Sequence, residues 1–216
     1  MNIDYKITEV KPNVFAVIIP NQYDRAMTFC RVQEFYESPN SDFRGKHFSM
    51  WDYMKWYSQE YARGFSYGSD WSGFNIPFDV LEACYRNIKN FETPYDAIMY
   101  KIYWQIQTMK GDGNAYVIGA ENTKGDTFQH EICHGLYSTN KQYKQMVDEV
   151  TETIEWQDYL KFEKNLLDMG YTTGVIPDEI QAYLAFGHDY QKFNKGVDKR
   201  ICKNLNKEYI KVFSNF

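Results

Sequence analysis

The chain changes hydrophobic period several times, and each change predicts an element. Tyr5 to Val10 alternates loosely, Pro12-Asn13 turns, and the β-branched run Val14 to Ile19 ends at Pro20, which reads as two short strands. From Gln22 to Glu37 the apolar positions Ala26, Phe29, Val32 and Tyr36 fall at helical steps, and Ser38-Pro39-Asn40 stops the run. Ser49 then reads as an N-cap, with Asp52 three residues on, for a helix carrying Met50, Trp51, Met54 and Trp56. Gly64 to Gly73 reads as a loop broken by aromatics. Helical spacing returns over Phe78 to Ile88 and over Tyr95 to Met109, where Ile98, Ile102 and Ile106 repeat every fourth residue before the Lys110-Gly111-Asp112-Gly113 turn.

The second half opens with a short apolar run, Ala115 to Ile118, that predicts one strand. Asp126 or Thr127 is placed to cap a helix from Phe128 to about Thr139. Asn140 breaks it, and one long helix is expected from Tyr143 to about Leu167. Gly170 and Gly174 mark a loop, Pro177 stands in the first turn of a helix reaching Phe186, and Gly187 ends that helix. Val197, Ile201, Leu205, Tyr209 and Phe213 lie at four-residue steps and predict an amphipathic C-terminal helix. No repeat, linker or low-complexity segment interrupts the pattern. The expected fold class is α+β, mainly helical.

Composition narrows the class further. At 44% apolar and 25% charged, the 216 residues suit a folded chain able to bury a core, and they are read as a single domain, 1–216. Within it, residues 1–110 form an aromatic-rich part, and 111–190 carry the candidate core of the chemistry. With 19 Tyr and 15 Phe, aromatics must supply much of the packing and some contact surface. The net charge of −5 makes nucleic acid a poor partner, and the segment Lys195 to Lys207 is interrupted by Asp198 and apolar residues. The start MNIDYKITEV lacks the basic and apolar regions of a secretory signal, and no stretch reaches the length of a membrane span. Cys30, Cys84, Cys133 and Cys202 lie far apart without a CxxC pair, which suits reduced, mostly buried thiols and a cytoplasmic location.

The chemistry concentrates in Gln129-His130-Glu131-Ile132-Cys133-His134-Gly135, an HExxH sequence inside a predicted helix. Residues i and i+4 share a helix face about 5–6 Å apart, so both imidazoles can reach one metal at a zinc–nitrogen distance of about 2.0 Å. Glu131 projects roughly a hundred degrees round from His130, off the metal and beside its water, where a general base belongs. The motif holds two of the chain's four histidines. Cys133 points away from both ligands, so packing is its role, and His47 carries no signal beyond a basic turn.

A catalytic zinc needs a third protein ligand and an open position. Asp148, Glu149, Glu152 and Glu155 follow the motif, but Asp148, Glu152 and Glu155 lie nearly opposite the apolar stripe Tyr143, Met146, Val147, Val150 and Ile154 and read as a solvated face. Glu179 is the better candidate. It shares a helix face with Ala182, Tyr183 and Phe186, where a carboxylate among apolar neighbours is costly unless a cation compensates it. A first-turn glutamate also suits the helix dipole, as Asp178 does.

HExxH followed by a helix-borne ExxAY, here Glu179-Ile-Gln-Ala-Tyr183, resembles the zinc metallopeptidases called zincins, and among them the glutamate-ligand gluzincins. The resemblance covers roughly Ala115 to Phe186; the first hundred residues match no peptidase pattern. It implies Zn2+ on His130, His134 and Glu179, Glu131 as base and proton shuttle, and a peptide or protein substrate. It also implies a zincin-like motif helix flanked by a small sheet whose edge strand, Ala115 to Ile118, lines the cleft; the helical spacing before it adds a helical N-terminal elaboration outside the resemblance. Tyr183 and His188 are the candidates for steadying an oxyanion, set against a core role for Tyr183 and a surface role for His188. Two other classes stay open: a catalytically silent binding or structural protein that keeps the fold, and a zinc hydrolase of a non-peptide bond.

Overall fold

The computed structural model describes residues 3–86, 88, 91–187 and 190–216. Helix accounts for 61% of it beside one four-stranded mixed sheet, which makes the class α+β, mainly helical. The chain divides into two compact units, Met1–Thr123 and Lys124–Phe216.

The first unit is built on strands β1 (Lys6–Lys11), β2 (Val14–Ile18), β3 (Phe74–Pro77) and β4 (Tyr116–Ala120), in the order β1-β2-β4-β3. The Pro12-Asn13 turn joins β1 to β2, with Asn13 at φ 61°, a left-handed conformation asparagine tolerates better than most residues. Strand β4 pairs parallel with β2 and antiparallel with β3. It is therefore an interior strand, and the expected edge strand is corrected. Both its rows of backbone groups are taken by neighbours, so it has none to offer an extended substrate. Its run of buried apolar residues is what an interior strand requires. Gly119 is fixed by packing, because a Cβ there would lie 2.6 Å from the Phe29 ring.

Around the sheet lie α1 (Gln22–Glu37), α2 (Met50–Glu60), α3 (Tyr67–Asp70), α4 (Phe78–Tyr85) and α5 (Pro94–Met109). Helix α1 has the bounds its spacing predicts, and Asn21 caps it by accepting from the Asp24 N–H. Ser49 occupies the N-cap of α2 but makes no capping bond; the Met50 N–H goes to Glu92 Oε2 at 2.6 Å instead. A full capping box forms at α5, where Thr93 and Asp96 exchange bonds. The segment read as a loop from Gly64 to Gly73 contains α3, and β3 follows it directly. Phe43, Tyr53, Trp56, Tyr57, Phe65 and Tyr67 interlock at ring-centroid distances of 5.3–6.4 Å.

The second unit is helical: α6 (Asp126–Thr139), α7 (Lys141–Glu152), α8 (Trp156–Asp168), a 3-10 turn (Thr173–Val175), α9 (Ile176–Phe186), α10 (Tyr190–Phe193) and α11 (Lys199–Phe213). Helix α9 is the hub, packing on α6, α7, α8 and α11. The N-cap of α6 is Gly125 at φ 85°, a conformation open to glycine, so Asp126 and Thr127 stand inside the helix and not at its cap. Asn140 both ends α6 and starts α7, accepting from the Gln142 and Tyr143 N–H groups. The single long helix expected from Tyr143 to Leu167 is two helices. Thr151 and Thr153 hydroxyls bond the Val147 and Val150 carbonyls near the end of α7, competing with the ladder, and Glu155 is extended. Ile154 still turns inward across the break, which preserves the apolar period that suggested continuity.

All four cysteines are free and buried. No described helix is long and apolar enough to cross a membrane.

Candidate metal centre

Helix α6 supplies His130, Glu131 and His134, and α9, packed against it, supplies Asp178, Glu179 and Tyr183. His130, His134 and Glu179 are 7%, 4% and 9% exposed. Spacing on one helix brings the two imidazoles together, with ring centroids 4.8 Å apart and Nε2 atoms 3.1 Å apart. Glu179 reaches them from across the helix pair, Oε2 lying 3.9 Å from His130 Nε2 and Oε1 3.7 Å from His134 Nε2. One ligand atom from each residue falls within 4.8 Å of the others, so the three can hold a metal ion.

The donor set fits zinc. Ligand atoms about 2.0–2.1 Å from a tetrahedral ion lie roughly 3.3 Å from each other, and the separations found here bracket that value. Two imidazole nitrogens and one carboxylate are also the mix zinc accepts while keeping a fourth position open. Hard cations such as magnesium and calcium prefer all-oxygen shells.

The other face of His134 is held too. Its Nδ1 lies 2.9 Å from Asp178 Oδ1, the carboxylate–imidazole pairing that fixes a ligand's tautomer and direction. Burial alone would lower the His134 pKa, but Asp178, Glu179 and Glu131 outweigh it and carry it up to about 10. The carboxylates around this imidazole thus demand positive charge, which a proton supplies at neutral pH when no metal does. Asp178 is one of two residues here that sequence reasoning missed. Read only as a helix-dipole carboxylate, it gave one available signal, its position one residue before Glu179 on an adjacent helix face.

Glu131 is half-buried, stands outside the ligand trio, and its charge is felt at both His134 and Tyr171. Tyr183 packs edge-on against the His130 ring at 4.8 Å and stacks on Phe193 at 5.0 Å. Its hydroxyl lies 2.9 Å from that of Tyr171. Burial, then the charge of Glu179, raises the Tyr171 pKa, so this phenol keeps its proton near the site. Tyr171 escaped sequence reasoning because it sits in an irregular segment between Gly170 and Gly174. Gly187 makes room for the arrangement: a Cβ there would come within 2.6 Å of the Tyr183 carbonyl and 2.7 Å of its ring.

Other candidates fall elsewhere. Glu149, Glu152 and Glu155 are exposed, and Asp148 is tied to Tyr137 and Lys144. Cys133 is fully buried, interacts with Tyr143 and stands outside the ligand trio. His188 lies outside the described residues. Among those described, His130, His134 and Glu179 form the one such group. Comparison with family models, curated proteins and solved structures returns no match.

Proposed function

We propose that this chain is a zinc-dependent hydrolase that cleaves a peptide bond, with His130, His134 and Glu179 as ligands. The observation that carries the reading is the convergence of three buried donors from two helices, with Glu131 on the same helix as both imidazoles. Zinc held there would lower the pKa of a water to about 7 and polarise a substrate carbonyl. Glu131 takes the proton from the attacking water and delivers it to the departing nitrogen. The Tyr171–Tyr183 hydroxyl pair, in which one hydroxyl donates to the other, leaves one proton to donate to the oxygen on which negative charge develops. Asp178 keeps His134 aimed with its Nε2 toward Glu179. The choice of a peptide bond rests on the HExxH and ExxAY pattern of His130 to His134 and Glu179 to Tyr183.

Metal analysis of the purified protein, paired with a peptide-library cleavage assay on wild type and Glu131→Gln, tests this. The expected result is one zinc per chain in both, with cleavage only in the wild type and a loss of at least the 10²–10⁴-fold typical of a missing acid–base group. Failure of both proteins to bind zinc overturns the metal site. Zinc binding with no cleavage of any library member by wild type overturns the peptidase reading in favour of a binding protein or a hydrolase of another bond.

A further inference from the structure

The contacts behind His134 continue past Asp178. Gln181, fully buried one turn along α9, donates from Nε2 to Asp178 Oδ1 at 3.0 Å, the same oxygen that His134 Nδ1 approaches at 2.9 Å. Tyr143, 1% exposed on α7, donates its hydroxyl to Gln181 Oε1 at 2.8 Å. We infer that Tyr143 and Gln181 form a positioning relay for the metal ligand His134, one that sets zinc affinity from the core of the helical unit. The inference rests on the metal-site reading above.

The physical reason lies in the two unlike ends of a carboxamide. Only its NH₂ end can donate to Asp178, and nothing intrinsic to glutamine decides which end faces that carboxylate. The Tyr143 hydroxyl decides it by donating to the oxygen end. Turned over, the amide would set Oε1 against a carboxylate oxygen and leave a buried donor misdirected, a costly arrangement in this interior. With the amide fixed, Asp178 Oδ1 is held where it accepts from His134, and the imidazole presents Nε2 to its fellow ligands. One residue each from α6 and α7 and two from α9 are thereby locked together, so the ligand inherits the rigidity of three packed helices.

Zinc affinity, measured by competition with a chromophoric chelator, tests the relay, with urea unfolding of the metal-free proteins run beside it. Asp178→Ala should weaken zinc binding about 10–100-fold, the usual effect of losing a partner behind a ligand. Tyr143→Phe, which removes one oxygen and keeps the ring, should weaken it by a smaller factor, roughly 3–10-fold on the same grounds. The double variant should bind as Asp178→Ala alone does, because the hydroxyl acts only through that carboxylate. Gln181→Met, close in volume, breaks the relay at its middle and should match Tyr143→Phe. Tyr209→Phe is the control: its hydroxyl lies 2.8 Å from Thr151 Oγ1 and its side chain is buried, so it should lose stability without changing zinc affinity. In zinc-loaded protein the His134 Nδ1–H proton resonance should be sharp in wild type and Tyr209→Phe and broadened in Tyr143→Phe. Unchanged zinc affinity in Tyr143→Phe and Gln181→Met, or losses that simply add in the double variant, overturn the relay and leave the metal site standing. Absence of zinc binding in wild type brings down the metal site itself.

Discussion

Each of the two units buries carboxylates, and they neutralise them differently. In the first, Asp96 faces Arg31, whose Nε and Nη2 reach its two oxygens at 2.7 and 3.1 Å, with Thr93 and Tyr85 adding hydrogen bonds. The counter-charge is permanent and supplied by the chain, and Asp96 in turn raises the Arg31 pKa against the opposing pull of burial. In the second, Glu179 and Asp178 face imidazoles, whose charge is optional. A third solution appears at Glu34, which burial pushes toward its neutral form while the hydroxyls of Ser38, Tyr53 and Tyr67 pull the other way. A guanidinium closes a site for good. Imidazoles leave it open to an ion from outside, and that difference separates a closed charge cluster from one that can hold a metal.

Breaking the permanent pair should have the largest effect. Arg31→Met strands Asp96 in the interior, and chemical denaturation should show a loss of about 3–5 kcal/mol, while zinc bound per folded chain stays the same. Adding the ion should come next. Zinc at a hundredfold excess over its dissociation constant should stabilise the helical unit by about 2.7 kcal/mol, seen as a rise in Tm that a chelator reverses and that Glu179→Gln lacks; an equal rise in that variant would move the ion elsewhere. The proton-based solution should give the smallest and most pH-dependent change. Because burial raises the Glu34 pKa, the stability tied to it is complete below the ordinary glutamate value of about 4.3. It declines as the pH rises through the raised value of the folded state. Glu34→Gln should therefore raise Tm at neutral pH, with the gain shrinking on acidification; a gain that grows toward low pH contradicts the assignment.

What the sequence made legible was whatever depends on neighbours a few residues apart. Ala26, Phe29, Val32 and Tyr36 define α1 by themselves, and His130 and His134 share a face by helical arithmetic alone. Glu179 could be picked out because a carboxylate on an apolar face is conspicuous. The break between α7 and α8 was hidden because Ile154 keeps the period while the backbone departs from helix. Strand β3 offered only Phe74 and Ile76 as inward positions, too few to register inside an aromatic segment. Asp178 and Tyr171 acquire their places only when α9 packs on α6 and the preceding loop folds back, and no local pattern encodes that meeting.

The strand order has a consequence for how this protein avoids its own kind. With β4 enclosed, the outer strands are β1 and β3. The first carries Lys6, Glu9 and Lys11 along its six residues, and the second is four residues long and ends in Pro77. Charge on one margin and a short, proline-ended strand on the other discourage a second molecule from docking strand to strand. A chain so rich in aromatic residues is thereby guarded against fibre growth at both open borders of its sheet.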